Sequence, residues 1–258
     1  QGGGQAAVDW MNLVAARVQA EGLSPPVASR VYAYAGLSLY EAAVAGRTDL
    51  PSLAARLQGM PAPEAAPARL DSACAAAGAV SALAEAMLPR ADSVTEVRAL
   101  LRRQLDQRAA EGLDGALVED SASYGQRLGQ ALAAWAEQDG FRATRGLPYE
   151  RPAGPGLWEP TGPAKAPATE PYWGTLRPFA LGAADACAPP PPPAYSEEKG
   201  SAFYAQADAV YQGMRPLDPE DVADAIVWLL TRPPHVNVGE IVLWPSVQAS
   251  TTTVTRTS

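Results

Sequence analysis

The residue types able to carry chemistry are few in this chain. There is one histidine, His235, so any mechanism that needs two imidazoles within the chain is excluded. His235 follows Pro233 and Pro234 with no partner beside it, and reads as a turn residue rather than a ligand or base. Ser121-Ala122-Ser123 lacks both a neighbouring histidine and the glycines of a nucleophile elbow, which leaves a serine hydrolase unsupported. The acidic pairs Glu119-Asp120, Glu197-Glu198 and Glu220-Asp221 invite general acid–base work. Each is accounted for by solvation on a polar face or by the positive end of a helix. Cys74 and Cys187 stand far apart without metal-ligand spacing; they are idle or buried thiols, or one long-range disulfide.

Helices must position whatever these groups do. Alanine makes up about a fifth of the 258 residues, which favours closely packed helices over sheets. From Ala6 to Ala20 a helical period carries Val8, Met11, Val14, Ala15 and Val18. Ser24-Pro25 then caps a second helix reaching Ala45. That helix is apolar almost all round, as expected for one in the middle of a bundle. A third, alanine-dense helix is expected over Leu70 to Leu88. Ser93 and Glu96 form a capping box ahead of Val97, Leu100, Leu101 and Leu105, and Gly112 closes that helix. A fifth helix, Gly115 to Asp139, puts Leu117, Tyr124, Leu128, Ala131 and Trp135 on one stripe and stops at Gly140.

Past Gly140 the texture changes. Of 25 prolines, 13 lie between Gly140 and Tyr195, interleaved with Trp158, Tyr172, Trp173 and Phe179. Proline excludes long helix and central strand, and so many aromatics argue against a loose linker; the segment reads as an arm wrapped over the helices. Pro189 to Pro193 forms a short polyproline rod that spaces its neighbours or offers a site to proline-reading domains. Ser196 caps a further helix carrying Phe203, Ala207 and Val210. Asp218 to Asp221 starts another that includes Val222, Ile226, Leu229 and Leu230, and Glu240 to Trp244 alternates as a lone strand. The fold class is thus mainly α: a helical bundle with a long Pro- and aromatic-rich irregular arm and a short helix-strand tail. A net charge of −8 argues against nucleic acid, and no apolar run reaches the length of a membrane span.

Several motifs in order carry a family resemblance. Leu23-Ser24-Pro25-Pro26-Val27-Ala28-Ser29-Arg30-Val31-Tyr32-Ala33-Tyr34 and Tyr40-Glu41-Ala42 come first, then Trp135 to Phe141 with Thr144-Arg145. Pro155 to Thr161, Pro171-Tyr172-Trp173-Gly174-Thr175-Leu176-Arg177-Pro178-Phe179, Pro191 to Pro193, Ser201 to Tyr204 and Val210-Tyr211 complete the set. Residues 1–211 resemble the N-terminal half of the vanadium-dependent haloperoxidases, relatives of the type-2 phosphatidic acid phosphatases. The resemblance implies peroxide-dependent halide oxidation on bound vanadate. It also implies that vanadate is held by a Lys and Arg pair, a Ser-Gly-His segment and a later Arg and His. A trianionic oxyanion needs such a ring of cations and donors. The chain has no Ser-Gly-His and no second histidine, so no catalytic, cofactor-binding or metal residue carries over, and no cofactor is expected in this chain. Arg177, between Trp173 and Phe179, matches a motif ahead of the family's catalytic segments and is either structural or anion-binding.

From 212 to 258 the resemblance changes. Pro216 to Trp228, Pro233 to Val238 and Ile241 to Ser250 resemble the C-terminal end of a short-chain dehydrogenase, a late helix and the last strand of a nucleotide-binding sheet. That family's phosphate-cradling glycine loop and its Ser, Tyr and Lys have no counterpart. The expected organisation is a helical region over 1–140, the arm over 141–195, a last haloperoxidase-like helix over 196–211 and the tail over 212–258. The two signatures meet near Val210 to Gly213, as in a joining of two genes' fragments, biological or accidental. The functional expectations are a catalytically empty haloperoxidase-like fragment, a binding or assembly module using the tail strand, or, least supported, a dehydrogenase remnant. A homo-oligomer formed through exposed helical surface or the tail strand would be its partner state. The start at Gln1-Gly2-Gly3-Gly4 and the family point to export.

Overall fold

The computed structural model describes residues 3–161, 165–213 and 219–231. They form eight α-helices and, among the described residues, no strand: α1 Gly3–Ala20, α2 Pro25–Val44, α3 Ser72–Met87, α4 Ala91–Ala110, α5 Gly115–Ala136, α6 Phe141–Thr144, α7 Ala202–Gly213 and α8 Pro219–Leu230. The tail strand expected at Glu240 to Trp244 and the turn at His235 lie outside the described residues. No described helix is long and apolar enough to cross a membrane.

The chain divides into two compact units. One comprises residues 1–150 and 160–188, the other 151–159 and 189–258. In the first, the middle of the bundle is α3, not α2 as the apolar sequence of α2 suggests. α3 packs on α1, α2, α4 and α5, whereas α2 leaves Ala33, Gly36 and Ala43 exposed. Side-chain size explains the exchange. Cys74, Ala75, Ala77, Gly78, Ala79 and Ser81 give α3 a slender surface that four helices can surround. The approach to α5 is so close that a Cβ on Gly78 would lie 2.2 Å from the Ala122 carbonyl oxygen, and one on Gly125 1.9 Å from that of Ala75. Glycine is required there by space rather than by φ.

The local start and stop signals hold unevenly. Asp71 caps α3 by accepting from the Cys74 amide at 2.9 Å, and Gly112 (φ 95°) and Gly140 (φ 94°) adopt the left-handed turns that follow α4 and α5. The expected capping box fails: α4 begins at Ala91, and Ser93 lies inside it, fully buried, donating to Glu21 at 2.6 Å. Ser24 holds the N-cap position of α2, yet its hydroxyl binds Glu170 at 3.2 Å and caps nothing. The buried stripe of α5 uses Val118 and Leu132 where Leu117 and Ala131 were expected. In α1, Val8 is half exposed, while Trp10 is buried with its indole donating to Gln104 at 2.8 Å. Cys74 is buried, Cys187 exposed, and both are free.

In the second unit, Tyr195 packs edge-on to Phe203 at 5.1 Å and fills the space beside Gly156, where a Cβ would lie 2.5 Å from the ring. Helix α7 starts at Ala202 rather than near Ser196, because Ser201 accepts from the Tyr204 amide at 3.1 Å. Glu197 and Glu198 therefore precede it and do not occupy its first turn. Val222 and Ile226 of α8 are exposed.

Candidate functional site

The motifs that carry the resemblance converge on one buried cluster. Arg30 and Tyr34, one turn apart on α2, face Trp135 of α5 and Asp139, which follows that helix. Gly140 then reverses the chain, and residues 171–179 return across the end of α5 to bring Arg177 and Phe179 beside them.

Asp139, 4% exposed, is the hub. Its Oδ2 accepts from Arg30 Nε at 2.6 Å and from Tyr34 Oη at 3.1 Å, and its Oδ1 accepts from the Phe141 amide at 2.9 Å. The main-chain carbonyl of Asp139 accepts from the Arg177 amide at 2.9 Å. Arg30 also donates to the Ala136 carbonyl at 2.9 Å, satisfying one of the orphan acceptors that end a helix. Arg177 donates to the carbonyls of Gln58 at 2.7 Å and Trp135 at 2.9 Å, and its guanidinium stacks 4.1 Å from the centre of the Trp135 ring. Trp135 Nε1 donates to the same Gln58 carbonyl at 3.0 Å. Tyr34, Trp135 and Phe179 complete an aromatic triangle with centroids 4.9–5.4 Å apart. Burial, and then the charge of Asp139, push the Tyr34 hydroxyl above the usual tyrosine range, so it stays a neutral donor.

Chemically, this arrangement ties elements together. Both oxygens of the Asp139 carboxylate are engaged, and each guanidinium donates to internal acceptors while stacking on a ring. The adjoining hollow, lined by Phe141, Glu170 and Trp173 among others, holds only about 50 Å³. Arg177 thus sits where the sequence placed it, beside Phe179, and donates to main-chain carbonyls.

The other sequence candidates are scattered. Ser121 is buried and accepts from the Asp71 amide at 2.9 Å, while Ser123 is exposed. Glu119 and Asp120 are exposed on α5, and Glu220 on α8. His235 is outside the described residues. Among the described residues no group of three or more His, Cys, Asp or Glu could hold a metal ion. A second, part-buried charge group was not foreseen. Asp71 pairs with Arg108 at 2.5 Å beside Cys74, whose thiol is pushed up to about 12 by burial and then by Asp71. Neither pair has a local sequence signal, since the partners are 109 and 37 residues apart. The one clue to the first was Arg30, which with Glu41 is one of two charged residues on a largely apolar helix.

No family model matches the chain. A crystal structure described as the first bacterial vanadium-dependent iodoperoxidase aligns with 81% of this chain at 32% identity and a TM-score of 0.71, covering 50% of that protein. Over 45 residues the chain is 56% identical to an uncharacterised oxidoreductase of Mycobacterium tuberculosis, which is 17% of this chain and 18% of the relative. Over the same length it is 44% identical to the bovine (Bos taurus) dehydrogenase/reductase SDR family member 11. The chain therefore spans half of the solved structure it matches and less than a fifth of the curated relatives. Both resemblances read from the sequence are present, the haloperoxidase-like one over most of the chain and the dehydrogenase-like one over a small part.

Proposed function

We propose that this chain is a haloperoxidase-like helical fragment that lacks the vanadate site and does not oxidise halide on its own. The observation that carries this reading is the state of its two best-placed cations. Arg30 is committed to Asp139 and to the end of α5, and Arg177 to the carbonyls of Gln58 and Trp135. A vanadate trianion brought to this cluster would displace those acceptors and face the Asp139 carboxylate; the residues present do not fit it. The single histidine supports the same conclusion, because a ligand and an acid–base imidazole cannot both come from His235. We place the boundary with the dehydrogenase-like tail near residues 210–213.

The test is iodide- and bromide-dependent peroxidase activity with hydrogen peroxide and added vanadate, read against a vanadate blank. The expected rate equals the blank. Turnover above it that saturates with vanadate would overturn the proposal. One long read of the source DNA across the codons for residues 210–218 tests the boundary, since a broken frame would make the chain a composite of two fragments.

A further inference from the structure

One cavity in the helical unit is unrelated to the arginine cluster. It is an open groove of about 720 Å³ in which α4 and α5 splay over α3. Its floor is apolar, with Ala82, Leu101, Leu105 and buried Val118. Its rim on α4 carries Arg102 and Asp106, both exposed and one helical turn apart. Neither takes part in an ion pair among the described residues, although Arg98 and Arg108 on the same helix pair with Glu85 and Asp71.

We propose that a second copy of the chain closes this groove, with α4 of each protomer lying antiparallel on the α4 of the other. The charge pattern selects that occupant. A two-fold axis level with residue 104 sets each Arg102 opposite the partner's Asp106, twice over, with Leu105 of each copy one residue from the axis. On α4 a ligand of one sign would satisfy one of these charges and oppose the other, whereas a second α4 satisfies both; Glu119, exposed on the α5 rim, lies outside that pairing.

The test is the mass of the full chain in solution by light scattering and sedimentation equilibrium, with circular dichroism to check folding. The wild type is expected to dimerise. R102D and D106R each set like charges across the axis and should weaken the dimer by at least roughly tenfold. The double variant R102D/D106R rebuilds both pairs in reverse and should dimerise again. That recovery separates an interface from mere loss of structure. A wild type still monomeric at about 100 µM, where even weak specific interfaces associate, would overturn the proposal. A dimer untouched by either single swap, or one that the double swap fails to restore, would also overturn it.

Discussion

Replacing Gly125 with alanine tests the packing of the bundle most directly. A Cβ at this position would lie 1.9 Å from the Ala75 oxygen, 2.7 Å from its carbonyl carbon and 2.9 Å from its Cα, all main-chain atoms of α3. No side chain can rotate away. Restoring an ordinary contact of 3.4 Å requires the two helices to part by roughly 1.5 Å. Gly78 and Gly129, whose own Cβ positions fall 2.2 and 2.1 Å from carbonyl oxygens, hold the same seam closed and resist the separation. Overpacking a rigid interior costs about 1–3 kcal/mol and sometimes more, and with backbone on both sides about 4 kcal/mol is a reasonable figure. The better helix propensity of alanine returns about 1 kcal/mol. The net loss of about 3 kcal/mol lowers Tm by about 6–12 °C for a unit of this size. Gly36 is the internal control, since it lies in α2, exposed, with nothing within 4 Å of a Cβ. There the propensity term acts alone, and Gly36→Ala should raise stability by about 0.5–1 kcal/mol. Differential scanning calorimetry and urea titration of both variants read the contrast. A Gly125→Ala protein as stable as the wild type, or a Gly36→Ala protein equally damaged, would refute the close seam.

Three further outcomes are expected. Asp139→Asn leaves Arg30, only 10% exposed, without its counter-charge and should cost about 3 kcal/mol in urea unfolding, whereas Asp49→Asn, in an exposed pair with Arg47, should change nothing measurable. Burial pushes the Asp71 carboxyl up, but Arg108 and the Cys74 amide outweigh it and hold the group below the usual carboxylate range. Its stabilisation is therefore present above the unfolded pKa and lost as pH falls through the folded one, so the gap between wild type and Asp71→Asn should close at acid pH. Burial and Asp71 keep the Cys74 thiol protonated at pH 8, so a thiol reagent should modify Cys187 alone in the native protein and both cysteines after denaturation.

Much of the helical order was legible because its signals are local. The period of α5, the positive-φ turns at Gly112 and Gly140 and the proline start of α2 all act within a few residues. What escaped was set at a distance. Nothing near Ser93 announces that its hydroxyl serves Glu21 across the bundle instead of a helix end, and nothing near Trp10 announces Gln104. The large apolar side chains of α2 pointed to the wrong central helix; α3 is both the thinner of the two and the less charged, with Glu85 alone against Arg30 and Glu41 in α2. α3 earns that place with glycine and alanine, residues that sequence reading counts as weakly apolar. At the site, Arg177 was singled out by its aromatic neighbours, but its acceptors are main-chain carbonyls, which no side-chain pattern encodes.

The arginine cluster also gives so specific a resemblance a structural basis. The residues that carry it here, Arg30, Tyr34, Trp135, Asp139, Arg177 and Phe179, are bound to one another and to helix ends. They specify how α2, α5 and the 171–179 segment meet, and they do so without any help from an oxyanion site. Buried and mutually satisfied charges are costly to change singly, since removal of one strands its partner. The motifs by which this chain resembles a haloperoxidase are thus accounted for by the packing of α2, α5 and the 171–179 segment.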